Sequence, residues 1–91
     1  MRIRYEHEAE NELLGIIDYG IDHNLPDPVA FALGLRDRFA HLANIEHPGR
    51  KGRMANTREW VVPGTPYIAV FQRAGNVVTI LRVLHGAQQW P

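Results

Sequence analysis

The run Val77–Leu84 (VVTILRVL) constrains this chain more than any other stretch. It is rich in β-branched residues and apolar everywhere except Thr79 and Arg82. A strand of that composition has cover on both faces, which puts it in the interior of a sheet. Arg82 is then the residue to explain. A guanidinium in a central strand must meet an anion, a cluster of carbonyls or a water-filled groove, because burying it unpaired is strongly unfavourable.

The segments before this run supply it with neighbours. Ala74-Gly75-Asn76 is a turn, where Gly or Asn accepts the positive φ that a short hairpin requires. Pro66–Arg73 alternates, with Tyr67, Ala69 and Phe71 on one face and Ile68, Val70 and Gln72 on the other. Thr57–Val62 reads as a further strand, broken by Pro63-Gly64. At the start of the chain, Met1–Tyr5 alternates Arg2 and Arg4 with Ile3 and Tyr5, a short strand with one face buried.

Between these strands the period changes to that of helices. A helix is predicted from about Glu6 or His7, its acid-rich first turns (Glu6, Glu8, Glu10, Glu12) suiting the positive end of the helix dipole. Ala9, Leu13, Ile16, Ile17 and Ile21 form its expected inward stripe, and His23-Asn24-Leu25-Pro26 ends it. Asp27-Pro28 is a capping residue followed by proline at the first helical position. Val29, Ala32, Leu35, Phe39, Leu42 and Ile45 are the predicted buried face of this second helix, which His47-Pro48-Gly49 closes. The expected fold is a single α+β domain over residues 1–91. Its order is β-α-α-β-β-β, with a helical hairpin packed on one face of a mostly antiparallel four-stranded sheet.

Composition narrows the chemistry. The chain has 91 residues and no cysteine, which excludes a disulfide framework, a thiolate metal site and a cysteine nucleophile. The N-terminus lacks an apolar leader core, and no apolar run approaches the ~20 residues of a membrane span. The expectation is a soluble cytoplasmic protein with no membrane partner.

Net charge is zero but divided. Residues 1–48 hold four arginines against nine acids, a balance of −5, and residues 49–91 hold six cations against Glu59 alone, a balance of +5. Two readings are open: the halves pair with each other, or the second half faces something anionic.

There is no P-loop, no dinucleotide fingerprint, no G-x-S-x-G and no H-E-x-x-H. The five histidines share no metal-ligand spacing, so neither a metal nor a cofactor is expected. The acids of Glu6–Glu12 read as a solvated helix face.

The basic residues are the candidates for function. Arg50, Lys51 and Arg53 share one glycine-containing loop, Arg58 opens a strand, Arg73 ends another, and Arg82 and His85 lie late in the last. Several of them could converge on the sheet face that the helices leave open, a surface suited to a phosphodiester backbone. Metal-free RNA cleavage would also need a general acid and base, and His85 is the histidine placed for either role. The alternative is an ordinary solvated loop and a structural turn histidine. Trp90, near a terminus, is the aromatic suited to stacking on a base. Trp60, Tyr67 and Phe71 read mainly as core or interface residues.

Taken together, Arg58-Glu59-Trp60-Val61-Val62, Pro66-Tyr67-Ile68-Ala69-Val70-Phe71 and the closing ILRVLHGAQQWP resemble the RelE/ParE toxin superfamily. The helical hairpin and the basic loop match in order and length, so the resemblance covers nearly the whole chain. It implies the toxin of a type II toxin–antitoxin pair, held in a hetero-oligomer by an antitoxin segment that folds as it binds.

RelE-type members cut mRNA on the ribosome. For this chain that branch would make His85, Arg82 and Arg58 the catalytic set, with Arg50, Lys51 and Arg53 holding phosphates. The sequence departs from that branch. A key arginine of the nucleases falls where Pro66-Tyr67 stands, and their terminal Tyr has only Trp90 as a counterpart. The HGAQQWP ending is more typical of ParE-like members, which inhibit DNA gyrase. On that branch the chain is not itself an enzyme, and Arg58, Arg73, Arg82 and the C-terminal segment contact the target. A third possibility is an inactive binding module.

Overall fold

In the computed structural model, which describes residues 2–46, 48–86 and 88–91, β5 (Val77–His85) lies inside the sheet, as its composition requires. It is flanked by β1 (Arg2–Tyr5), which runs parallel to it, and by β4 (Tyr67–Ala74), antiparallel to it. β3 (Arg58–Val61) and β2 (Arg50–Lys51) continue the sheet, giving the order β1-β5-β4-β3-β2. The sheet therefore has five strands where the sequence predicts four. The added strand is cut from the basic loop: Arg50 and Lys51 pair with Glu59 and Arg58. Two residues with no hydrophobic alternation leave no periodic signal.

Helix α1 (His7–Asp22) follows β1 after one residue, Glu6, whose N–H donates to the Ile80 carbonyl. Glu8 and Glu10 sit in its first turn, where the dipole favours anions. Helix α2 (Pro28–His41) starts at the predicted cap, with the Asp27 side chain accepting from the Ala30 N–H at 3.1 Å. It ends earlier than predicted, passing into a 3₁₀ turn over Leu42–Asn44. The expected stop included His47, which lies outside the described residues; Pro48 and Gly49 fall beyond the helix. The hairpin is tight because Gly20 faces Pro28. A Cβ at residue 20 would stand 2.5 Å from the Pro28 Cβ.

The main core lies between helices and sheet. Ala9, Leu13, Leu35, Phe39 and Leu42 meet Ala69, Phe71, Val78, Ile80 and Val83, with Ile3, Tyr5, Ile16 and Trp60 at the margin. A smaller cluster on the opposite face joins Ile68, Val70 and Leu84, covered in part by Leu81 and Trp90. Both faces of β4 and β5 are thus occupied. Three residues of the predicted helix stripes are exposed instead: Ile21, Val29 and Ile45. Ile21 and Val29 flank the hairpin turn and Ile45 follows the 3₁₀ turn, where the chain runs past the area the sheet can cover.

Candidate functional site

Two surfaces stand out, one apolar and one basic. The apolar one is a groove of about 790 Å³ between the hairpin and the ends of β4 and β5. Ile16 and Val83 line it, and Tyr19, Leu25, Phe31 and Tyr67 supply most of its larger side chains. Tyr19, Leu25 and Phe31 are large apolar residues left exposed, at 55%, 50% and 42%. Phe31 and Tyr67 are tilted with centroids 5.9 Å apart, and His85 meets the Tyr67 ring edge-on at 5.8 Å. Burial raises the Tyr67 hydroxyl pKa, so the ring presents a neutral donor at the groove wall. The groove reflects the composition of α2 (PVAFALGLRDRFAH), whose apolar residues exceed one face. Phe31 is left over once Ala32, Leu35 and Phe39 have filled the core.

At one end of the groove Glu12 closes an exposed strand edge. β1 pairs with β5 only as far as Ile80. Beyond that point Glu12 accepts from the Val83 N–H at 2.9 Å and from the Arg82 guanidinium at 3.0 and 2.8 Å. Glu8 adds a second carboxylate at 3.4 Å, and Trp90 stacks over the Arg82 Cζ at 5.0 Å. The anion that Arg82 requires is supplied by α1. Hydrogen bonding to Glu12 raises the Arg82 pKa, with burial opposing and the charges of Glu12 and Glu8 reinforcing.

The other predicted arginines are also engaged. Arg50 and Arg53 grip Glu59, which is 1% exposed, at 3.1 and 3.0 Å. Arg58 donates to the carbonyls of Pro48 and Gly49, and Arg73 to those of Ala43, Ile45 and Glu46. Arg58 alternates with Glu59 and shares the side of Trp60, so it points toward the helix layer, as does Arg73, which pairs with Val78. Among the predicted set, only Arg50, Arg53 and Arg82 lie with the open face, and β4 separates Arg82 from the other two. Lys51 sits beside Arg58 with no side-chain partner among the described residues. The three residues of the nuclease reading do not meet. Arg58 faces the helix side of β3, Arg82 is held by Glu12, and His85 borders the apolar groove. Among the described residues no group of three or more His, Asp or Glu side chains is placed to hold a metal ion.

The sequence model of a family described as the ParE toxin of the type II toxin–antitoxin system parDE matches residues 3–90. The chain belongs to the ParE toxin family. A relative from Sinorhizobium fredii (strain NBRC 101917 / NGR234), named "Putative toxin Y4kP", is 40% identical over 92 residues, covering 99% of this chain and 93% of its own length. A solved structure described as the chromosomal ParDE TA system from P. aeruginosa has the same fold. Its TM-score is 0.83 at 21% identity, over 93% of this chain and 95% of that one.

Two features of this ParE-family chain escaped sequence reasoning. Tyr19 and Phe31 fall outside the predicted inward stripes, and Leu25 reads only as part of the helix stop His23-Asn24-Leu25-Pro26. The surplus of large apolar residues in α2 over what one face can bury was the available signal. Arg2 and Arg4 read only as the polar half of a strand. Their significance depends on which other cations find partners, which the sequence does not state.

Proposed function

We propose that this chain is the growth-arresting partner of a type II toxin–antitoxin pair, that it inhibits DNA gyrase in the cytoplasm, and that its cognate antitoxin neutralises it through the apolar groove. The observation that carries the antitoxin half is the exposed aromatic lining of Tyr19, Phe31 and Tyr67. A contiguous apolar groove of this size is costly to leave in water and suits an amphipathic segment that orders on binding. The gyrase half rests on membership of the ParE family and the resemblance of the C-terminal run to its members. The engagement of Arg82 by Glu12 and of Arg58 by carbonyls favours a toxin that acts by contact over one that cleaves RNA.

The test has two arms. Inducing the gene alone should stop growth with a DNA-damage response preceding any loss of translation, and purified protein should block gyrase supercoiling while leaving mRNA on translating ribosomes intact. Codon-positioned cleavage on ribosomes with supercoiling untouched would overturn the proposal. For the groove, Phe31→Asp should remove rescue by a co-expressed cognate antitoxin while growth arrest persists.

A further inference from the structure

We infer that Arg2 and Arg4 on β1 form the contact by which this toxin engages its target, and that the matching surface is an acidic protein patch; this rests on the toxin reading above. Of the ten lysines and arginines, only Arg2, Arg4 and Lys51 have neither an ion pair nor a side-chain hydrogen bond among the described residues. Lys51 stands on the helix side with Arg58. Arg2 and Arg4 are the unpartnered cations that share a face. Both are exposed, while Ile3 and Tyr5 between and beside them pack into the main core. The two guanidinium groups therefore leave the sheet on the side away from the helices, with bases about 7 Å apart along the strand.

One carboxylate stands near, that of Glu6, two residues beyond Arg4 in extended backbone and beside Leu81 and Trp90, but it forms no ion pair with either arginine among the described residues. Arg4 lies in a row with Thr79 and Gln72, and Arg2 in a row with Val77 and Ala74. None of these is acidic, whereas Arg36, Arg50, Arg53 and Arg82 are each paired with a carboxylate. The position is also independent of the groove. His85 is six residues from Thr79 along β5, roughly 20 Å away, and the groove opens on the helix side. Target and antitoxin would meet different faces.

A protein surface fits better than nucleic acid. The chain has a pI of about 7.0, whereas binding a phosphate backbone calls for a broad basic footprint and derives its affinity from many released counterions. Two free arginines suffice to pair with two carboxylates at an interface rim, where charge governs association rate and selectivity. Charged edge strands also discourage strand addition, a role that either sign of charge fulfils. Reversing the sign separates the two explanations.

The experiment compares wild type, R2E/R4E and R2K/R4K at matched protein levels, reading growth arrest on induction, inhibition of gyrase supercoiling and thermal midpoint. The reversal should lose at least about tenfold in potency, and the lysine pair should stay within about threefold of wild type. All three should melt within about 3 °C of one another, as exposed substitutions do. Should the reversal melt lower than that, R2Q/R4Q carries the same comparison with a smaller expected loss. A folded R2E/R4E protein as potent as wild type overturns the inference and leaves the toxin reading intact. A wild type that arrests no growth overturns the toxin reading, and the inference with it. A wild type that retards a bare DNA duplex at low salt, with the retardation lost on reversal, assigns the surface to phosphates and overturns the acidic-protein assignment.

Discussion

Replacing Glu59 with glutamine tests how the basic loop is held to the sheet. Glu59 lies on the outer face of β3, its carboxylate 0% exposed between Arg50 and Arg53. One oxygen accepts from Arg50, and the other accepts from both the Nε and the backbone N–H of Arg53, the latter at 2.9 Å. Burial by itself would raise the Glu59 pKa. The hydrogen bonds from Arg53 and Arg50 and the Arg53 charge outweigh it and bring the value from 4.5 down to about 2.

A carboxylate with a depressed folded pKa stabilises the fold above its unfolded pKa, and that contribution is lost as pH falls through the folded value. Here it is complete above about pH 5.5, worth about 3 kcal/mol at pH 7, less than half of that at pH 3, and nearly gone at pH 2. Glu59→Gln should therefore cost about 3 kcal/mol at pH 7. With a urea m-value of about 1 kcal/mol/M, the midpoint falls by about 3 M. Urea titrations of both proteins at pH 7, 4 and 3, followed by tryptophan fluorescence and far-ultraviolet dichroism, read the difference directly. Other carboxylates titrate in both proteins and cancel. The difference should narrow steadily toward acid. A gap equal at pH 7 and pH 3, or below about 1 kcal/mol at pH 7, would refute the assignment of stability to this charge cluster.

Other outcomes are expected on the same grounds. Gly49→Ala should cost more than about 3 kcal/mol and release β2, because φ there is +69° and a Cβ would meet the Glu59 carbonyl oxygen at 2.2 Å; loss of hydrogen-exchange protection at residues 50–59 reads it. Arg82→Ala should cost about 1–3 kcal/mol and alter Trp90 emission, and a double-mutant cycle with Glu12→Gln should show coupling above about 0.5 kcal/mol. Phe39→Ala, at a fully buried site against Tyr5, should cost about 3–5 kcal/mol in urea unfolding. Phe31→Asp should lower the urea midpoint far less than Phe39→Ala, since residue 31 is 42% exposed, while removing rescue by the antitoxin.

Much of the architecture follows from patterns that repeat along the chain. The two-faced apolar run of β5, the alternation of β4 and β1, the Asp27-Pro28 start signal and the acidic first turn of α1 are local, and each specifies its element whatever lies opposite. Arg82 shows how far such reasoning reaches. Its composition alone demanded an anion, but nothing in the strand named Glu12, which is 70 residues away in sequence and arrives because β1 stops at Tyr5 and α1 crosses the exposed edge.

The tertiary structure decided which charges remain available. Glu59 pairs with two cations, backbone carbonyls accept from Arg58 and Arg73, and α1 supplies the anion for Arg82, so these arginines all have partners within the fold. Electrostatic partners are chosen by distance in space, and a few ångströms separate a bound guanidinium from a free one. Sequence records the charges. Only the packed sheet and hairpin determine that Arg2 and Arg4 are left facing solvent together, and that Phe31 and Tyr19 line an open groove instead of a core.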